Sequence, residues 1–281
     1  MSVTVVVATR NRRDDLMVSL PRHEGPVILV DNASTDGSPA FVREMFPSVR
    51  VVSLRKNLGA VARNVGVQAA RTPYVAFADD DSWWAPGALA LAERVLDAHP
   101  RVAVATGRML VGTAARLDPL SAAMAAAPLG TSPGGAGPDV LGFAACAAIV
   151  RRSAYLAVGG FDPVVRFPGE EERLTLDLAE AGWLLSYVDD LVMHHHPSPV
   201  RGPAAERQAQ IVRSALLTAC MRRPWAETLA LASAGLRSGG PARAGVLSAL
   251  PRLPAAVRRR RPVSPWLEER IDRLSEPAVP V

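Results

Sequence analysis

The chain has 281 residues, 49% of them hydrophobic, and a net charge of +5. That is enough apolar material for one large domain, or one domain with an appendage. No apolar run reaches the roughly 18 residues a membrane span needs, and the N-terminus lacks a secretory pattern, so the expected location is cytoplasmic.

The first hundred residues alternate strand and helix signals. Thr4–Ala8 reads as a strand, Arg13–Leu20 as a helix, Val27–Val30 as a strand and Ser38–Met45 as a helix. Val49–Leu54 is a third strand, Ala60–Ala70 a helix, Tyr74–Ala78 a fourth strand, and Pro86–Ala98 a helix with proline at its start. Val102–Thr106 is a fifth strand. Short β-rich runs separated by helices indicate crossover units and a mostly parallel sheet. Gly112 to Pro138 reads as a long loop with a short helix around Ala122–Ala127. An apolar strand follows from Leu141, then a helix near Ser153–Val158, a helix over Leu174–Ala181 closed by Gly182, and strands over Leu184–Val188 and Leu191–His194. After Pro203 the pattern is helical. Cys146 and Cys220 lie in apolar surroundings and in no metal-binding spacing, so both read as buried thiols.

Ligands of such sheets bind beyond the carboxyl ends of the strands. The first strand ends in Thr9-Arg10-Asn11, the second in Asp31-Asn32, the third leads to Asn57-Leu58-Gly59, and the fourth ends in Asp79-Asp80-Asp81. One polar cluster is ordinary turn chemistry; four on one rim point to a ligand site. Three adjacent carboxylates repel one another and persist when solvated or neutralised by a cation. Oxygen ligands suit Mg2+ or Mn2+, whereas an acidic helix N-terminus explains the triplet without metal. Asp31 is placed to accept a hydrogen bond from a nucleobase edge, while Asp36 and Ser38 are explained as helix-capping residues. Arg63 faces either the acidic triplet or a diphosphate, or forms a structural ion pair. His194-His195-His196 ends a strand, so His194 and His196 point one way and His195 the other. A neutral imidazole can complete a metal site; contact with diphosphate or a structural hydrogen bond are the alternatives.

In order, the segments VVVATRNR, VILVDNASTDGS, NLGAVARNVG, YVAFADDDSWWAPGAL, GGFD and FPGEEERLTLDLAEAGW resemble the family 2 glycosyltransferases with the GT-A fold, over roughly residues 3–196. The resemblance implies an α/β fold of GT-A type: a Rossmann-like, mostly parallel central sheet flanked by helices. Residues 1–200 would form this domain, with a nucleotide-sugar half to about residue 110 and an acceptor half to residue 200. Residues 201–281 would be a basic helical C-terminal appendage. The implied enzyme is a metal-dependent, inverting glycosyltransferase of hexosyltransferase type, moving a sugar from a nucleotide-diphosphate donor to an acceptor hydroxyl on a glycan, a lipid-linked molecule or a small molecule. Donor-binding residues would be Thr9, Arg10, Asp31, Asn57, Arg63, Asp79 and Asp80. Asp79 and Asp81 would be the outer carboxylates of the D-x-D motif, with Asp81 the direct ligand of Mn2+ or Mg2+. His194 or His196 would complete the metal, because a histidine past the acceptor segment does so in many GT-A enzymes. Counting back from Gly182-Trp183, Glu171 falls on the catalytic base, departing from the commoner Asp; the run Glu170-Glu171-Glu172 leaves the register open by one residue.

The charge is uneven. Residues 1–200 hold 18 basic and 21 acidic side chains, whereas residues 201–281 hold 14 and 6, a net of +8. Arg258 to Arg261, followed by Trp266 and the amphipathic stretch Leu267–Leu274, read either as a solvated tail or as a peripheral contact with an anionic membrane. No nucleic-acid module accompanies them, so no nucleic-acid partner is expected. Two rival functions are a non-catalytic sugar-nucleotide-binding relative and a metal-dependent hydrolase of a nucleotide-diphosphate compound. A dehydrogenase is disfavoured because no G-x-G-x-x-G follows the first strand.

Overall fold

The computed structural model describes residues 2–199 and 202–275. Its centre is a nine-stranded sheet in the order β3-β2-β1-β4-β8-β6-β9-β5, with β7 paired to β6. The first strands are β1 (Val3–Thr9), β2 (Val27–Asp31), β3 (Arg50–Ser53) and β4 (Tyr74–Asp79). They pair in parallel, joined by α1 (Arg13–Ser19), α2 (Ser38–Met45) and α3 (Ala62–Ala69). Alternation sends side chains to both faces. Val6, Val30 and Phe77 enter a core with Val67 of α3, whereas Val5, Val7 and Leu29 enter a second core with Leu16 of α1 and Val42 of α2. Gly66 lets α3 lie close to the sheet, because a Cβ there would meet Cγ1 of Val6 at 2.3 Å.

The second half adds antiparallel strands and makes the sheet mixed. After α4 (Ala88–Ala98), β6 (Val102–Val111) and β9 (Leu184–His195) are parallel to each other, but β8 (Ala148–Arg151) runs antiparallel between β4 and β6. The crossover rhythm ends at β6. The chain from β6 to β8 carries β7 (Arg116–Leu117) and the small α5 (Pro119–Ala125), with no crossover helix to return it to the starting end. β5 (Ser82–Trp84), unforeseen from the sequence, is the far edge strand, antiparallel to β9. The expected strands at 184–188 and 191–194 are one strand, with a register shift opposite Gly107 and Arg108. The strand expected from Leu141 begins only at Ala148, after a turn of 3-10 helix at Ala145–Ala147.

α6 (Arg152–Ala157) and α7 (Glu171–Glu180) follow β8. The remaining helices are α8 (Ala204–Arg222), α9 (Trp225–Ser238), α10 (Gly240–Ala249), α11 (Leu253–Arg258) and α12 (Pro265–Ser275). They are fastened to the sheet domain rather than trailing from it. Leu216, Leu217, Cys220, Met221, Val246 and Ala256 form a third core with Val164 and Val165, and Leu267 of α12 is fully buried in the core that holds α3 and α7. Within the arginine run, Arg259 pairs with Asp162 at 2.8 Å, and Arg260 donates to the Cys220 carbonyl and covers Trp225. No described helix is long and apolar enough to cross a membrane. Cys146 and Cys220 are buried and free.

Candidate active site

Register gathers the expected residues on one rim. Thr9 pairs with Asp31 across β1 and β2, and Ala8 with Asp79 across β1 and β4. The loops beyond are held by their own side chains. Asn11 and Ala33 adopt left-handed backbone, at φ 54 and 60, a conformation that costs free energy in a non-glycine residue and clusters at functional sites. The Asn11 side chain accepts from the Thr35 amide at 2.8 Å, and its amide donates to the Ser34 hydroxyl at 2.9 Å. Asp31 is 2% exposed, and its carboxylate accepts from the Ser34 amide. Asn32, which the sequence reading did not single out, clips the next loop to the rim: it accepts from the Leu58 amide and donates to the Gly59 carbonyl. Asn57 closes that loop by accepting from the Gly59 amide at 2.8 Å. Arg10 is exposed at the tip of the first loop.

Each carboxylate of the triplet has a different partner. Asp79 accepts from Arg63 at 2.5 Å. Asp80 accepts from the Thr9 hydroxyl at 2.9 Å. Burial first, then repulsion from Asp79 and Asp81, pushes the Asp80 carboxyl up to about 8. Asp81 accepts from the Ser198 amide at 2.9 Å, and its other oxygen lies 3.4 Å from Nε2 of His195. The strand alternation of the three histidines holds, but the imidazole beside Asp81 is the middle one. His194 and His196, the expected metal candidates, lie against Trp83 with ring centroids 5.8 and 4.6 Å away. The cause is β5, which pairs Ser82 with His195 and Trp83 with His194.

Of the roles open to Arg63, the structure shows ion pairing with the acidic triplet. Arg63 is 4% exposed, and its second terminal nitrogen meets Glu170 at 3.2 Å. The guanidinium thus binds two carboxylates, the partly exposed Asp79 and the buried Glu170, and although burial opposes it, its own pKa is raised by Asp79 and Glu170. Glu170 is fully buried with Oε2 unpartnered, and burial plus the neighbouring Glu171 pushes its carboxyl up to about 8. Glu172 is exposed. Between them Glu171, the first residue of α7, is half-buried and accepts from the Ala145 amide at 3.2 Å. Burial raises its pKa above the ordinary carboxylate value. The two halves are further tied by Asn64, whose side chain donates to and accepts from the Phe161 backbone and accepts from the Tyr155 hydroxyl.

Among the described residues no group of three His, Cys, Asp or Glu side chains is placed to hold a metal ion. Asp81 and His195 supply one oxygen and one nitrogen donor. Two protein donors beside an overcrowded acidic triplet fit a cation whose remaining positions are taken by phosphate oxygens and water, as Mg2+ commonly is. They do not fit a closed structural zinc site.

Residues 4–158 match the family described as Glycosyl transferase family 2. The chain is 30% identical over 220 residues to the N-acetylglucosaminyl-diphospho-decaprenol L-rhamnosyltransferase of Mycobacterium tuberculosis, covering 65% of this chain and 71% of that protein. Among solved structures it resembles a mannosyltransferase of Pyrobaculum calidifontis in complex with GDP-Man and Mn2+, with TM-score 0.59, 20% identity, and coverage of 92% of this chain and 83% of that one. It also resembles residues 1–349 of S. aureus TarS in complex with UDP, with TM-score 0.55, 22% identity and 78% of this chain covered; the match spans 65% of that TarS chain. At such identities the likeness is one of fold.

Proposed function

The chain belongs to glycosyl transferase family 2, and from that premise we propose that it transfers a sugar from a nucleotide-diphosphate donor to an acceptor hydroxyl, with inversion and with the help of a divalent cation. The observation that carries this reading is the pairing of Asp79 and Glu170 across Arg63. On this reading Asp79 belongs to the donor side and Glu170 to the acceptor side, with the buried guanidinium between them.

Asp31 and the loops fastened by Asn11 and Asn32 receive the nucleoside. Thr9 holds Asp80, and Arg63 holds Asp79, so the acidic rim keeps its shape beside the diphosphate. Glu171 takes the proton from the acceptor hydroxyl as that oxygen bonds to the anomeric carbon and the bond to the diphosphate breaks. Asp81 and His195 would hold a divalent cation, and the chemistry it would supply is neutralisation of the charge on the leaving nucleoside diphosphate. The relative's name concerns a hydroxyl acceptor carried on a lipid diphosphate, so a lipid-linked acceptor is the favoured class here. Exposed Trp225, Leu229 and Leu236 on α9 support a peripheral contact of the basic helical region with a membrane surface.

A thermal-shift panel of UDP, GDP and dTDP sugars, with and without Mn2+, tests the central claim. A ligand at a hundredfold excess over its Kd adds about 2.7 kcal/mol of stability, which reads as a rise of several degrees. Absence of stabilisation by every nucleotide in every metal would overturn the reading. In the same assay His195→Ala is expected to weaken Mn2+-dependent nucleotide binding by at least about tenfold, while His194→Ala leaves it unchanged. The opposite pattern would return the metal to the face carrying Trp83.

A further inference from the structure

Away from the acidic rim, the segment that leads into Glu170 and Glu171 gathers arginines. Arg213 of α8 donates to the carbonyls of Arg166 and Phe167 at 3.4 and 3.3 Å. Arg252, just before α11, donates to the carbonyl of Val164 at 3.1 Å. The Arg207 guanidinium stands 5.9 Å over the Phe167 ring. α8 lies against this segment: the Ser214 hydroxyl donates to the Arg166 carbonyl at 2.8 Å, and a Cβ on Gly169 would lie 3.2 Å from Cβ of Ser214.

Among the described residues none of Arg166, Arg207, Arg213 and Arg252 is ion-paired with a carboxylate. The bonds they do make are to neutral carbonyls, long in the case of Arg213, whose buried Nε has no partner at all. Three of the side chains feel one another. After burial, Arg166 is what lowers the pKa of Arg213, and Arg166 and Arg213 together lower that of Arg252. Like charges held together without a counter-charge are unfavourable until an anion joins them. Guanidinium groups present forked donors that match phosphate oxygens. Two exposed apolar side chains adjoin them: Phe167, 47% exposed, and Ile211, 39% exposed and one turn from Arg207 on α8.

We propose that Arg166, Arg207, Arg213 and Arg252 form the seat of a phosphate or diphosphate group carried by the acceptor. Its role as an acceptor site rests on the transferase reading above; its existence as an anion site does not. The seat borders the 164–169 segment, so an anchored phosphate would hold the acceptor along the stretch of chain that leads into Glu170 and Glu171. Phe167 and Ile211 then lie where the carrier of that phosphate would run.

Titration of the whole chain with farnesyl diphosphate, inorganic pyrophosphate and farnesol, with and without UDP, GDP or dTDP, tests this. Both diphosphates are expected to bind beside a nucleotide, and farnesol not to bind. Arg213→Gln and Arg207→Gln should each weaken diphosphate binding at least tenfold. Arg207 makes no hydrogen bond to the loop carbonyls, so its variant guards against a folding defect. The nucleotide-induced thermal shift should be unchanged in both. Tighter binding of farnesyl diphosphate than of pyrophosphate supports a lipid carrier lying on Phe167 and Ile211; equal binding supports a soluble phosphate ester at the same seat. Undiminished diphosphate binding in both variants overturns the proposal. So does an equal loss in the control Arg237→Gln/Arg243→Gln, which would show general attraction to a basic surface. Diphosphate binding at these arginines in a chain that binds no nucleotide would sink the transferase reading and leave the anion seat standing.

Discussion

Glu171→Gln is expected to slow sugar transfer by between about 10² and 10⁴-fold, with nucleotide binding nearly unchanged, because the amide keeps the shape of the site but cannot accept the acceptor's proton. The pH profile of the unaltered chain carries the same information. A base acts only when ionised, and burial holds the Glu171 carboxyl above its ordinary value. The rate should therefore fall as pH drops through that raised pKa, with a midpoint above the usual carboxylate range. In Glu171→Gln this limb should vanish from the residual rate. Steady-state rates with a stabilising donor, measured across pH for both proteins, check both statements. Full activity of the variant would remove Glu171 from the mechanism. Glu170 is no substitute: it is fully buried and bonded to Arg63.

The second large effect is on stability. Arg63→Met removes the cation shared by Asp79 and Glu170 and leaves both carboxylates in a poorly solvated setting. Breaking a buried pair in this way costs about 3–5 kcal/mol. The loss should depend on pH in a definite direction. Glu170 is raised to about 8 even with Arg63 beside it, and without the cation it rises further. The folded variant then binds more protons than the unfolded chain through the neutral range, so its stability falls as pH increases. Urea unfolding at pH 5.5 and pH 8 should show the larger deficit at pH 8. A deficit independent of pH would mean that Arg63 acts by packing, for example against the Phe161 ring 5.8 Å away. Donor affinity in this variant should fall too, since Asp79 loses its fixed position.

How much of this was legible in the residues follows from what kind of signal each feature leaves. The parallel half of the sheet was readable because its strands are short apolar runs, and β1, β2 and β3 each lead on to a helix. The polar strand ends were readable as a rim because parallel strands point their carboxyl ends the same way, and the register sets Thr9 beside Asp31 and Ala8 beside Asp79. Glu171 rested on the family resemblance and on counting back from Gly182-Trp183; the run of three glutamates left the register open, and burial alone distinguishes them, with Glu170 sealed, Glu171 half-buried and Glu172 exposed. What the sequence left hidden was set by non-local pairing. β5 is three residues long and leaves no periodic signature, yet it decides which histidine stands beside Asp81. Arg63 was open among three roles because the sequence cannot say that residue 170 returns to it. Asn32 and Asn64 look like ordinary turn and helix asparagines; only the loops they clip reveal them. The arginines on the 164–169 segment come from three separate stretches, and no window along the chain brings them together.

The buried carboxylate of Asp139 has an implication for how the molecule is made. It anchors the returning end of the 112–138 loop, accepting from the amide and hydroxyl of Ser132, and it also accepts from Arg270 of α12 at 2.7 Å. The outgoing end is fixed at the Gly112 amide, which donates to the His195 carbonyl. As the chain leaves the ribosome, β1 to β4 and their helices can assemble from sequence-local contacts, whereas the Asp139 anchor waits for a residue 131 positions later. Without α12 the returning end would keep its bonds to Ser132 and its bridge to Ser186 of β9, but the Asp139 carboxylate would lose its only cationic partner among the described residues.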